Sequence, residues 1–178
     1  IECFERLRAR GITNVHLTII TKINKIEKEL MLRLQKMDNV NVLEFNLTKD
    51  ELFKVYASSN ILLHPTRQDS FPLVVLEAAK AGNVIVASDL YGIPEIVKDG
   101  YNGFLLSPIY RFFNNKNMPN EKVWNNRKET IYSDYVDRAV VDRLELIFVE
   151  LLDDRKKLKK MALNSFEHSR SNEFNESF

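Results

Sequence analysis

HPTRQDSFPLVVLEAAKAGNVIVASDLYGIPEIVKDGYNGFLLS, residues 64–107, runs from the end of one apolar strand through a polar turn and a very apolar helix into two further short strands. Its strand segments are NILLHPT (60–66), NVIVAS (83–88) and GFLLS (103–107), each short, apolar and bounded by turn residues. Working outward, VHLTIIT (15–21) and VNVLEF (40–45) add two more. Helical spacing fills the gaps. Ile1, Phe4 and Leu7 mark one face that Gly11 closes, and Ile26, Leu30, Leu34 and Met37 mark a second. Thr48-Lys49-Asp50-Glu51 reads as a capping box opening a third helix with Leu52, Val55 and Tyr56. Strands alternating with helices about every 20 residues predict an α/β chain with a parallel sheet flanked by helices, because parallel neighbours need a crossover of that size. Ligands in such sheets lie outside the carboxyl ends of the strands, so attention falls on the segments after Phe45, Thr66 and Ser88.

Composition narrows the classes. The 178 residues carry 26 Lys plus Arg against 25 Asp plus Glu, a formal charge of +1, with 44% apolar and 29% charged residues. That describes one globular domain, residues 1–178, with a core at 1–107, a loop insertion at 108–134 and C-terminal helices and tail at 135–178. Interspersed, balanced charge argues against a nucleic-acid partner. A single cysteine, Cys3, permits neither an internal disulfide nor a cysteine-based zinc site. No apolar stretch is long enough to span a bilayer, and the charged start lacks the apolar core of a signal peptide. The chain therefore reads as cytoplasmic. Because it opens mid-helix without an initiator Met, it also reads as a fragment of a longer protein.

Within residues 64–107, Ser70 is a plausible N-cap and Pro72 is tolerable in the first helical turn. Such a helix start presents free N–H groups at the carboxyl edge of the sheet, which suits phosphates. Glu77 stands alone among Val74-Val75-Leu76 and Ala78-Ala79, two turns from Ser70, while Asp69 lies just before the helix. These carboxylates could accept hydroxyl hydrogen bonds on either side of a diphosphate. Equally, Glu77 could pair with Lys80 on a solvated face and Asp69 could cap the turn. Spacing alone leaves both open. His64 ends a strand at the ligand edge and is a candidate lining residue. His16 reads as a half-buried strand residue, and His168 as part of the tail. No HExxH, P-loop, GxGxxG or His/Cys/carboxylate cluster occurs at metal-ligand spacing, so no bound metal and no cofactor are expected.

Asp69 to Glu77, D-S-F-P-L-V-V-L-E, resembles the E-x7-E signature of retaining glycosyltransferases of the GT-B fold, specifically family four, with Asp in the first place. The resemblance extends over residues 15–107. It takes in VNVLEFNLTKDELFKVYASSNILLHPT before the motif and Gly92-Ile93-Pro94-Glu95-Ile96-Val97 with Asp99-Gly100-Tyr101-Asn102-Gly103 after it. It implies the C-terminal, donor-binding half of such an enzyme, using a UDP- or GDP-hexose and no metal. Asp69 would contact the transferred sugar, Glu77 the ribose hydroxyls, and the amides of Phe71 and Leu73 the phosphates or sugar. Backbone near Phe45 and Asn46 would contact the base. The donor site so implied holds Phe45, Asn46, Thr66, Arg67, Ser70, Phe71, Leu73 and Glu77, with Asp69 and Glu77 as the catalytic pair. Arg67 could add positive charge or be an ordinary surface arginine. The family's first strand, with its Arg and Lys for the diphosphate, and its acceptor-binding half have no counterpart here. The fragment alone is therefore expected to be inactive. The acceptor would be a glycan or a lipid-linked glycan, and the alternatives are a GT-B epimerase or phosphorylase, or a non-catalytic binding module.

The 108–134 segment mixes Tyr110, Phe112, Phe113 and Trp124 with Arg111, Lys116, Lys122, Arg127 and Lys128. Packing against the domain is one reading. Contact with a partner, or peripherally with the inner face of the cell membrane, is the other.

Overall fold

The Thr48–Glu51 box closes as its spacing predicts. The Thr48 amide donates to Glu51 Oε2 at 2.8 Å and the Glu51 amide to Thr48 Oγ1 at 3.3 Å, so two donors at the start of the helix at Lys49–Ala57 are satisfied reciprocally. The structure is a computed structural model that describes residues 1–69, 72–114 and 118–171. It divides into two compact units, Ile1–Leu52 and Phe53–Phe178, where the sequence suggests one.

In the first unit, α1 (Glu2–Ala9), β1 (Leu17–Thr21), α2 (Lys28–Gln35) and β2 (Val40–Glu44) follow one another, with a 3-10 turn at Ile23–Lys25. β1 and β2 pair in parallel from Leu17 opposite Val40 to Thr21 opposite Glu44. Arg33 Nη2 reaches both oxygens of Glu5 at 2.8 Å, joining α2 to α1. Asn39 enters β2 at φ 64°, a left-handed conformation that its short amide tolerates by donating to the Thr13 carbonyl at 2.9 Å. His16 precedes β1 and is exposed, not half-buried within a strand. The strand starts one residue later, at Leu17.

The boundary falls within α3 (Lys49–Ala57), and the second unit continues with β3 (Ile61–His64), α4 (Leu73–Lys80), β4 (Val84–Ser88), α5 (Ile93–Ile96) and β5 (Gly103–Leu106). The sheet order is β3-β4-β5, all parallel. β4 is central and buried at every position, which explains its uninterrupted apolar run. The five expected strands thus form in parallel, but in a two-stranded and a three-stranded sheet. Gly103 opens β5 where the backbone of Ile85 passes. A Cβ there would lie 2.1 Å from the Ile85 carbonyl oxygen. Asn102, fully buried, accepts from the Lys98 amide at 2.7 Å and donates to the Ile96 carbonyl at 2.9 Å, which holds the turn into β5.

Residues 108–134 are not a bare loop. They contain α6 (Glu121–Asn125) and a small aromatic core of Phe112, Val123 and Ile131, against which Tyr91 and Tyr110 pack. Phe112 and Trp124 meet edge-on at 5.5 Å. Next, α7 (Arg138–Asp153) is capped by Asp137, whose side chain accepts from the Val140 amide at 3.2 Å and from the Ile109 amide at 2.8 Å. α8 (Arg155–His168) packs on α4 and β4, so His168 ends a helix and does not belong to a tail. Among the described residues no helix is long and apolar enough to cross a membrane.

Candidate functional site

The β3–α4 connection sits at the carboxyl edge of the three-stranded sheet. Its start is fixed by Ser88 Oγ, which donates to the Thr66 carbonyl at 2.6 Å and ties the ends of β4 and β3 together. Thr66 Oγ1 turns the other way, donating to the Gln68 carbonyl at 3.1 Å and accepting from the Gln68 amide at 3.3 Å. Thr66 is thus a turn-former, with its hydroxyl used locally.

Arg67 bends back under the turn. Its guanidinium donates to the carbonyls of Ile131, Ser133 and Tyr135, and lies 4.0 Å from the centroid of the Tyr135 ring. It is neither an ordinary surface arginine nor a side chain directed at a phosphate. Three charged donors on backbone oxygens give it a fastening role that a lysine's point charge cannot copy. Arg67→Ala and Arg67→Lys are each expected to cost about 1–2 kcal/mol, after allowance for partial exposure. Urea unfolding would read this loss, and hydrogen exchange should quicken at 131–135 before it does elsewhere.

Asp69 is half-buried, its Oδ2 3.4 Å from His64 Nε2. The approach is not aligned as a hydrogen bond. Nε2 is buried and, among the described residues, has no hydrogen-bond partner. His64, the last residue of β3, thus stands beside Asp69. Ser70 and Phe71, expected as N-cap and phosphate contact, lie outside the described residues.

The helix start differs from the expectation. α4 begins at Leu73, with Pro72 as its N-cap and no side-chain cap, so Glu77 stands one turn in and not two. Pro72 has ψ 106°, an extended backbone, so the helical run starts at the next residue. Leu73 is the first helical residue and is exposed, and its amide belongs to the first turn, where N–H groups lack intrahelical acceptors.

Glu77 is exposed and meets Tyr56, not Lys80. The Tyr56 hydroxyl donates to Glu77 Oε2 at 3.4 Å from a buried position on α3. Burial, then the Glu77 carboxylate, push the Tyr56 phenol well above its usual range, so it stays a donor throughout the neutral range. Asn83 supports the arrangement by donating to the carbonyls of Tyr56 at 2.9 Å and Ser59 at 2.8 Å. The sequence marked Tyr56 only as a core-face position of a helix, and its spacing from Glu77 carries no signal of the contact.

Phe45 and Asn46 follow β2 in the first unit. The Phe45 amide donates to Thr21 and the Asn46 amide to Glu44, so both are internally satisfied, and the Phe45 ring is 63% exposed. Among the described residues no three His, Cys, Asp or Glu side chains group as a metal site.

The family model described as Glycosyl transferases group 1 matches residues 1–110. The chain belongs to this family. A D-inositol 3-phosphate glycosyltransferase from Streptomyces bingchenggensis (strain BCW-1) is 37% identical over 59 residues, 33% of this chain and 13% of the relative. The chain thus aligns with a small part of that protein's length. Among solved structures, the C-terminal domain of a group 1 glycosyl transferase family protein (LpcC) from Francisella tularensis superimposes with a TM-score of 0.58 at 18% identity. That alignment covers 82% of this chain and 61% of the other. Anabaena Alr3699/HepE, crystallised with UDP-glucose, gives a TM-score of 0.64 at 18% identity over 94% of this chain and 39% of its own. The group 1 transferase fold here is that of a GT-B Rossmann-like C-terminal domain.

Proposed function

We propose that this group 1 domain binds the nucleotide-sugar donor of a retaining hexosyltransferase, at the β3–α4 turn. Glu77 takes the ribose hydroxyls and Asp69 the transferred sugar, and the first-turn amides of α4, beginning with Leu73, face the diphosphate. The observation that carries this reading is the Glu77 carboxylate, which is exposed at the ligand edge and held there by a buried tyrosine hydroxyl. An ordinary surface glutamate has no such support. Metal is not required, because the helix end and positive groups on the whole enzyme would stabilise the departing diphosphate.

Within this chain Arg67 is occupied with carbonyls, so the 178 residues are expected to bind donor without transferring its sugar. In the whole enzyme the bond from sugar to diphosphate would break, a bond to the acceptor oxygen would form on the same face, and the acceptor hydroxyl's proton would pass to the departing diphosphate. A cell-surface or lipid-linked glycan would be that acceptor, at the cytoplasmic side of the membrane.

The Anabaena protein's complex puts UDP-glucose first among the donors to try. A thermal-shift panel of UDP, GDP and their hexoses reads native-state binding directly, as a rise in midpoint with ligand concentration. A rise with one nucleotide family is the expected outcome. Unchanged midpoints across the whole panel would overturn the proposal and favour a non-catalytic module.

A further inference from the structure

A concavity lies at the same sheet edge, beyond β4. It is a cleft of about 230 Å³ between the turn that follows β4 and the start of the 108–134 segment. Asp89 and Tyr91 form one wall, and Arg111, Phe112 and Phe113 the other. None of the residues assigned to the donor lines it.

Three features mark it as built. Arg111 Nη2 pairs with Asp89 Oδ2 at 2.8 Å, yet the two side chains remain 29% and 34% exposed, so a charged fork and a carboxylate stand together at the mouth. Tyr91 adopts φ 51°, a conformation that costs an aromatic residue free energy and that clusters at ligand and active sites of proteins in general. Phe113 meets the Tyr91 ring edge-on at 6.1 Å and is itself 39% exposed, which leaves aromatic surface facing the opening.

We propose that this cleft is a carbohydrate subsite that takes one hexopyranose ring of a glycan. A pyranose has apolar C–H faces, which aromatic walls accept, and an equatorial rim of hydroxyls, which a carboxylate and a guanidinium side by side can bind by accepting and donating at once. The volume falls below the roughly 300–1,000 Å³ of sites for drug-sized ligands, so a single ring matches it and a whole nucleotide-sugar does not. An apolar chain would leave the Asp89–Arg111 pair desolvated and unanswered. The cleft is separate from the donor site and its assignment does not depend on that reading.

Ligand-observed saturation-transfer NMR on the 178-residue chain tests this, with methyl glucoside, methyl galactoside and methyl mannoside as probes. At least one should bind in the millimolar range, with Kd raised tenfold or more by Arg111→Lys and by Tyr91→Gly. Tyr91→Gly relieves the left-handed backbone but removes a ring packed on the Phe112 core, so its melting midpoint is read beside its affinity and loss of the sugar counts only while the variant is folded at the titration temperature; Arg111→Lys, at a side chain that is 29% exposed, makes the same test without that packing change. Glu77→Ala and saturating UDP should leave the sugar signal in place. The assignment falls if no glycoside gives transfer, if either cleft variant binds as the parent does, or if UDP displaces the sugar. Failure of the nucleotide panel with the glycoside signal intact would instead strike the donor reading alone.

Discussion

Gly103→Ala is expected to lower the thermal midpoint by roughly 6–12 °C, the shift that about 3 kcal/mol produces in a chain of this size. The added methyl would stand 2.1 Å from the Ile85 carbonyl oxygen and 2.9 Å from Val97 Cγ1. The first contact cannot be relieved by a side-chain rotation, because Ile85 belongs to the buried centre of the sheet and is paired with Gly103 in register. Relief requires β5 to move away from β4. That strains the Asn102 turn, whose two hydrogen bonds fix where β5 begins. Overpacking a closed interior costs about 1–3 kcal/mol, and a backbone obstacle puts this case at the upper end. Calorimetry would decide it. A midpoint within 2 °C of the parent, roughly 1 kcal/mol or less, would show that the β4–β5 seam yields more easily than its burial suggests.

What the sequence revealed and what it hid follow from the range of the forces involved. Strand and helix periodicity is local, and so are capping boxes. All five strands and the Thr48–Glu51 box were accordingly legible, to within two residues at each strand end. Strand pairing is not local, and nothing in residues 15–66 indicates that β1 and β2 form one sheet while β3 joins β4 and β5 in another. The 108–134 segment looked patternless because its core is made by scattered apolar residues meeting across turns, Phe112 with Val123 and Ile131, and not by one face of a regular element.

The same division governs the site. Asp69 and Glu77 were readable as unusual carboxylates, and the family resemblance gave them roles, because both belong to one short stretch. Arg67 was not readable. Its partners lie more than 60 residues away along the chain. Tyr91 was invisible for another reason, since a left-handed φ leaves a mark in sequence only when glycine or asparagine fills the position.

Glu77→Ala should weaken donor nucleotide binding by about a hundredfold. A carboxylate accepting from two ribose hydroxyls makes two charge-assisted hydrogen bonds, at about 1.5–3 kcal/mol each before solvent competes. Glu77 is exposed, so we expect roughly 3 kcal/mol in all, which corresponds to two decades in Kd. Titration calorimetry with the nucleotide that shifts the thermal midpoint gives the number directly. Tyr56→Phe should cost far less, under about 1 kcal/mol, because its hydroxyl orients Glu77 through a long 3.4 Å hydrogen bond and touches no ligand. Its raised pKa keeps the proton on the tyrosine oxygen, so its contribution should not vary with pH across the neutral range. Glu77→Gln distinguishes two forms of the ribose contact. The amide keeps one acceptor oxygen, so an intermediate loss indicates that a single oxygen carries much of the bonding. A loss as large as that of alanine indicates that both carboxylate oxygens are used, one for each hydroxyl. Unchanged affinity in Glu77→Ala would instead move the ribose elsewhere and leave the Tyr56 contact with a purely structural meaning.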